Sequence, residues 1–518
     1  MPLTLTYPGV YIQEQRSGVH PITGVATSIA AFAGWAAQGP VGEATHIYNF
    51  ADYLRNFGDL DPRSYLGYGV YQFFLNGGTE AYVVRLTKGA VPASAAFEKL
   101  TLSAQSPGDW VNKYWVSITR KASDTTHFRL SVGVKNPLAK DTDTDDVKFI
   151  VVEQFENLSM SATDQRYVQS VLSDESAILD ATVPANSADL TADVAWVQLS
   201  KAPNATQGDN GTVLHPAVTK ADFIAALNDA DNGYLVLDEV DLFNLLVVPG
   251  LTDATELNTL QQYCVKRRAF LIADPDPNIT DPQKLLTSLA AAPANALTQD
   301  PPGGNSALYF PWVLAPDPKQ QGRVQQFPPS GFVAGIYAAT DAARGVWKAP
   351  AGTAAGLSGI SGLNTVLNDA QNGSLNVKGV NCLRSFPVYG NVVWGARTLA
   401  GADEQGSDWK YVPVRRLTLY IEESLYRGTK WVVFEPNDEP LWAQIRLNVG
   451  AFMDTLYRQR AFQGASPRDA YLVKCDSSTT TQNDINRGVV NIVVGFAPLK
   501  PAEFVVITIQ QLAGQAGA

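Results

Sequence analysis

Apolar positions along this chain repeat in two ways, as short continuous runs and as stripes three or four residues apart, and the two alternate. An apolar run of small residues over 27–35 predicts a buried strand, followed by a loop at Gln38-Gly39-Pro40. Asn49 stands where it can cap a short helix that ends at Gly58. Ser64 stands likewise before a second helix, with Leu66, Val70, Phe73 and Phe74 on one face and Gly77 as its stop. Residues 82–86 then read as a strand. Further on, a buried strand over 242–248, a helix over 253–267 and a strand over 269–272 have the spacing of a parallel β–α–β unit. Turns rich in Gly, Ala and Pro fill 291–305 and 349–363.

The last stretch is the most regular. Val414, Leu417, Ile421 and Leu425 form one helical face, which Gly428 ends. Residues 431–434, Trp-Val-Val-Phe, read as a strand. Asn437 precedes a long helix whose stripe is Leu441, Ile445, Val449, Phe452, Met453 and Leu456. Two more strands are expected at 489–494 and 503–510, with Pro498 and Pro501 in the turn between them. Between 95 and 215 the texture differs. Short strands such as 114–118 and 149–152 sit among loops rich in Ser, Thr, Asp and Asn, and helical periodicity is weak. The expected fold class is therefore mixed α/β and multidomain. Its parts are an extended arm (1–23), the first part of an α/β core (24–94), an inserted β-rich domain (95–215), a second α/β region (216–400), a C-terminal domain (401–499) and a terminal strand arm (500–518).

Composition narrows the function. The chain has 518 residues, is 45% hydrophobic and 17% charged, and carries a net charge of −11. That balance suits a core-forming globular protein and disfavours general nucleic-acid binding, which needs basic surface. No apolar run approaches a membrane span, and Met1 to Thr6 has neither the basic nor the hydrophobic region of a signal peptide. Cys264, Cys382 and Cys475 are scattered, with no CxxC, and fit idle thiols in a reducing compartment. Assembly in a cytoplasm is therefore expected.

Chemistry finds no foothold. His20, His46, His127 and His215 lie in unlike contexts, without metal-ligand spacing. The run Asp141-Thr142-Asp143-Thr144-Asp145-Asp146 begins like a calcium loop, but Asp146 stands where glycine is needed and Val152 where glutamate is needed. There is no GxSxG elbow, Walker loop or GxGxxG after a strand. No catalytic residue, metal or cofactor is expected, and the chain does not read as an enzyme.

Longer motifs supply what chemistry does not. Residues 328–337 (PPSGFVAGIY), 345–352 (GVWKAPAG), 391–399 (NVVWGARTL), 411–416 (YVPVRR) and 434–442 (FEPNDEPLW) together resemble the contractile tail sheath proteins. At the front, 7–11 (YPGVY) and 24–28 (GVATS) resemble the same family's opening. Ala339 departs from the pattern, standing where a basic residue is expected, and 206–211 is a loose version of a glycine-rich junction. The resemblance implies a subunit that stacks as hexameric rings around a rigid inner tube and shortens on a trigger, driving the tube through an envelope without nucleotide hydrolysis. It implies an inner, tube-facing domain built from both chain ends, with insertions facing outward. The implied partners are further copies of the chain, the inner tube protein, baseplate proteins and tail-terminator or cap proteins.

Two sets of residues follow as candidates. The strand-prone Gly9, Val10, Tyr11 and Ile12, and Phe504, Val506 and Thr508, are expected to be donated to the edge offered by Val490, Ile492 and Val494 of another copy. A hairpin within the chain, between 489–494 and 503–510, is the alternative. Arg415, Arg416, Arg446, Arg458 and Arg460, in an acidic chain, are the candidates for an exposed charged grip on the tube. The rival functions are an enzyme with an unrecognised site and another self-assembling surface protein.

Overall fold

The computed structural model describes residues 20–121, 124–291, 297–299 and 302–506. The chain divides into two compact units. One gathers Met1–Thr27, Thr340–Pro350 and Asp408–Ala518; the other comprises Ser28–Ala339 and Ala351–Ser407.

The larger unit is organised by an eight-stranded sheet. In spatial order its strands are Gly390–Val393, Val380–Phe386, Ser306–Phe310, Phe270–Ala273, Leu245–Val247, Ala30–Trp35, Ala81–Leu86 and Ala44–Ile47. The six inner strands run parallel, and each edge is closed by a four-residue antiparallel strand. Helices cover a parallel sheet on its faces, so its strands are buried throughout. Every residue of Ala30–Trp35, Leu245–Val247, Phe270–Ala273 and Ser306–Phe310 is buried.

Local signals act as the residue types dictate. The Asn49 side chain accepts from the Asp52 N–H at 2.9 Å and opens the helix Phe50–Phe57, which Gly58 closes. The Ser64 hydroxyl accepts from the Leu66 N–H and donates to the Trp35 carbonyl, fixing the helix Leu66–Leu75 to the end of a strand. Asp253 caps Ala254–Arg267, which lies between two neighbouring parallel strands in the chain order. The helices Leu66–Leu75 and Ser330–Arg344 meet at glycine: a Cβ on Gly331 would lie 2.6 Å from the Gly69 carbonyl oxygen, so no side chain fits there.

Two buried charges tie this unit together. The Asp274 carboxylate follows the strand Phe270–Ala273 and accepts from the Ser330 N–H (2.8 Å), the Ser330 hydroxyl (2.6 Å) and the Gly250 N–H (2.9 Å). It thereby caps the helix Ser330–Arg344. Burial outweighs these bonds and pushes its pKa up to about 6. Arg85, 1% exposed, donates to the carbonyls of Ala36, Ala37, Gly39 and Pro107. Burial lowers its pKa to about 10. Four carbonyl dipoles thus take the place of a counter-ion, and they join two loops distant in sequence.

Residues 93–202 carry a hydrophobic core of their own. It lies between a three-stranded sheet (Ser94–Phe97, Leu100–Ala104, Leu179–Thr182) and a four-stranded one (Val194–Gln198, Tyr114–Lys121, Asp124–Lys135, Phe149–Ser159), with the helix Val168–Glu175.

The smaller unit packs the helix Val412–Gly428 against Glu439–Arg458. An antiparallel ribbon, Tyr471–Lys474 with Val493–Phe496, lies on the same core. Several expectations fail here. Residues 431–434 are not a strand: Lys430–Val432 is a single 3-10 turn and an irregular loop follows. The long helix is capped by Asp438, while Asn437 binds Trp442 Nε1 and the Val489 carbonyl. The strand expected at 489–494 forms at Val493–Phe496, and residues 501–506 have no regular structure.

Candidate assembly surface

Among the described residues, no group of three or more His, Cys, Asp or Glu side chains could hold a metal ion. That covers the acidic run at 141–146. His127 spends both ring nitrogens on carboxylates, Asp124 at 2.6 Å and Asp164 at 3.2 Å, and the Asp124 hydrogen bond raises its pKa. All three cysteines are buried and free. Burial raises the thiol pKa values, of Cys382 to about 12 and of Cys475 to about 11. No described helix is long and apolar enough to cross a membrane. The candidate residues read from the sequence fall in the smaller unit.

The helix Val412–Gly428 is buried on nearly every side in its first half, from Val412 to Leu419. Arg415 and Arg416 fall in that half. Arg416 makes a bidentate pair with Asp341 (2.9 and 2.6 Å) and donates to the Thr27 carbonyl at 2.8 Å. Both charged side chains are 3% exposed. Arg415 lies over the Trp409 ring, 4.6 Å from its centroid, with Glu422 at 3.8 Å. The expectation that these two arginines are exposed is therefore corrected: they are internal staples. The signal missed was the apolar stretch around them, since Val412, Val414, Leu417 and Leu419 leave that half of the helix no solvent face. Arg446 is half-buried against Glu439 and the Cys475 carbonyl. Arg458 is exposed and pairs with Asp454, one turn away, and Arg460 is exposed beyond the helix end.

The ribbon is half-covered. Tyr471, Val473, Val494 and Phe496 pack on the core, whereas Leu472 and Val493 face outward, each about half exposed. No third strand joins it among the described residues. Val494 pairs with Val473 of its own chain. Val490 and Ile492 precede the strand and lean on the core. Phe504 and Val506 are exposed and irregular, so no hairpin with 489–494 forms over the described residues. Gly9, Val10, Tyr11, Ile12 and Thr508 lie outside the described residues.

Where the described chain begins, His20 stacks on Trp431 with ring centroids 4.3 Å apart, and its N–H donates to Asn448 Oδ1. Three residues beyond Trp431, Phe434 holds φ = 72° and is fully exposed, next to Val433 at 63% exposure. Nothing in the sequence announced this: Trp-Val-Val-Phe has the composition of a strand.

With the geometry in place, the comparisons give the surface a context. Residues 217–399 match the phage tail sheath protein central domain, and residues 404–511 the phage tail sheath C-terminal domain. A tail sheath protein of Vibrio phage KVP40 is 25% identical over 296 residues, 53% of this chain and 42% of that protein. A prophage major tail sheath protein of Pseudomonas aeruginosa is 26% identical over 54% of this chain and 69% of its own. The fold is similar to that of the sheath complex of an extracellular contractile injection system in its contracted state. That likeness has a TM-score of 0.59 at 22% identity, over 99% of both chains.

Proposed function

Because this chain belongs to the contractile tail sheath family, we propose that it is the subunit that polymerises as stacked hexameric rings around an inner tube and shortens to drive that tube through a target envelope. The observation that carries this reading is the ordered match of 217–399 and 404–511 to the two sheath domains. The absence of a metal-holding cluster among the described residues is compatible with a mechanical part. The stroke then stores its energy as a difference between two sets of contacts between copies.

The ribbon supports a way of linking the copies. A two-stranded unit is marginal in water and gains by adding strands. The segment of Gly9, Val10, Tyr11 and Ile12, and that of Phe504, Val506 and Thr508, are the strands to be donated to the ribbon of another copy. A net main-chain hydrogen bond contributes ~0.5–1.5 kcal/mol, so five or six give several kcal/mol for each segment. The charged contact with the tube falls to Arg458 and Arg460, with Arg446 at its margin, since Arg415 and Arg416 are spent inside. Baseplate and terminator proteins cap the polymer at its ends. The stretch 95–215, with its own core, is the outward domain and is dispensable for polymerisation.

Negative-stain microscopy of the expressed chain tests the reading. Hollow tubes are expected; discrete small oligomers, flat sheets or closed shells overturn it. A chain lacking residues 1–19 should stay folded and fail to polymerise, and ordered tubes from it would sink the strand exchange.

A further inference from the structure

The sheet of Val194–Gln198, Tyr114–Lys121, Asp124–Lys135 and Phe149–Ser159 has one face on the core of residues 93–202. Val116, Ile118, Leu130 and Val132 fill that core, so alternation sends Ser117, Thr119, Arg129 and Ser131 to the other face. There a cleft of about 600 Å³ opens, within the ~300–1,000 Å³ usual for small-molecule sites. The loop over 136–148 borders it and is closed at its neck by Asn136. The Asn136 N–H donates to the Lys148 carbonyl (2.8 Å) and its side-chain amide to the Val147 carbonyl (2.9 Å).

Strand register grades this face into rungs. The first is aromatic. Trp115 pairs with Gly133, and Trp196, from one edge strand, crosses Gly133 to stack on Phe149 of the opposite edge strand. Their ring centroids are 4.8 Å apart and their planes 18° apart. Only glycine allows the crossing: a Cβ on residue 133 would lie 2.8 Å from the Ile150 carbonyl oxygen and 3.1 Å from the Trp196 ring. The next rung is hydroxylic, with Ser117 beside Ser131 and Ser131 beside Gln154. The third sets Thr119 beside Arg129, which pairs with Glu156 at 2.7 Å.

The hydroxyls show what the cleft lacks. Ser131 is 6% exposed, yet neither its hydroxyl nor those of Ser117 and Thr119 bonds to any described residue. A sheltered polar group without a protein partner is an exception that calls for a reason. Each hydroxyl can donate and accept, so the row matches a ligand that does the same. The adjoining Trp196 ring matches a ligand with an apolar face. Charge narrows the class further. Arg129 is matched by Glu156, and Asp145 and Asp146 on the bordering loop add negative charge, so an anion finds no positive surplus. A neutral sugar ring has both parts, C–H bonds on one face and hydroxyls around its edge.

We propose that this cleft binds a neutral oligosaccharide. One sugar ring lies against Trp196, and its hydroxyls exchange hydrogen bonds with Ser117, Ser131 and Thr119. The site belongs to residues of the stretch 95–215 alone, and it stands whether or not copies exchange strands.

The test places the full-length chain on an array of neutral oligosaccharides built from glucose, galactose, mannose and N-acetylglucosamine, beside sialylated and uronic-acid chains. Binding to at least one neutral chain is expected, in preference to the anionic ones, and titration calorimetry then gives the affinity. In the double variant Ser117→Ala with Ser131→Ala, affinity should fall at least tenfold while the melting temperature stays the same, because these hydroxyls have no partner to lose. Trp196→Leu should abolish binding; where that variant melts early, the serine pair still decides. Binding to no neutral chain overturns the proposal, and so does a preference for anionic chains. An affinity that the serine pair leaves unchanged also overturns it, because the sugar then sits elsewhere. A peptide library that binds through the same residues while no sugar does would make the cleft a peptide site and overturn it equally.

Discussion

The large sheet and the small ribbon solve the same problem in opposite ways. In the eight-stranded sheet, six parallel strands are buried and both edges end in four-residue antiparallel strands, a common way to blunt an edge. The ribbon has two strands, one covered face and two exposed apolar residues on the other. Burial on both faces makes the sheet independent of company. Among the described residues the ribbon gains only an isolated bridge, Phe462 with Pro498, and no third strand. A chain that must be stable alone and also polymerise can separate the two tasks in this way.

Four measurements break or sharpen that contrast, the largest effect first. Arg416→Ala strands the Asp341 carboxylate inside the ribbon-bearing unit and should cost it ~3–5 kcal/mol in urea unfolding followed by tryptophan fluorescence. A loss below ~1 kcal/mol would mean that this unit does not depend on its buried pair.

The second concerns the sheet-bearing unit and pH. The pKa of Asp274, raised to about 6 from 3.8, makes its protonated form the better one in the fold. That contribution is complete below the unfolded value and is lost as pH rises through about 6. Wild type should therefore gain ~2 kcal/mol relative to Asp274→Asn between pH 7 and pH 4. Parallel stability curves would rule this out.

Third, Asn49→Ala removes a helix cap in the same unit and should cost ~1 kcal/mol in chemical denaturation. Last, Arg458→Ala breaks only an exposed pair one helical turn long, so a change of ~0.3–0.5 kcal/mol is expected. A larger loss would show that the exposed arginines hold the unit together and are not free for a partner.

What the sequence disclosed follows the same division. In the sheet-bearing unit, local rules and tertiary packing agree: Asn49, Gly58 and Asp253 bound their helices because capping is decided within four residues. The strand over 30–35 was legible because a parallel sheet buries both faces and leaves an unbroken apolar run. In the other unit, decisive partners are far apart in the chain. Arg416 looked like surface charge because Asp341 lies 75 residues away and Thr27 lies 389 away. Residues 431–434 have strand composition, yet Trp431 turns to meet His20 and Phe434 turns outward. Asn437 and Asp438 are both good caps, and only the Trp442 indole, claimed by Asn437, decides between them. The segment of Gly9 to Ile12 was legible as strand-forming, but a strand needs a neighbour, and that neighbour is another copy in the reading proposed here.

The three sheltered cysteines give the protein a long chemical life. Oxidation and disulfide exchange act on the thiolate. With its pKa raised to about 11, Cys475 is ionised to only about one part in ten thousand at pH 7, and it is fully buried besides. Cys382, at about 12, is scarcer still as thiolate. The chain's own sulfur therefore offers little to random cross-linking. The same silence has a practical side: a single cysteine introduced on the surface will take a maleimide probe almost alone, so the wild-type chain is its own unlabelled background.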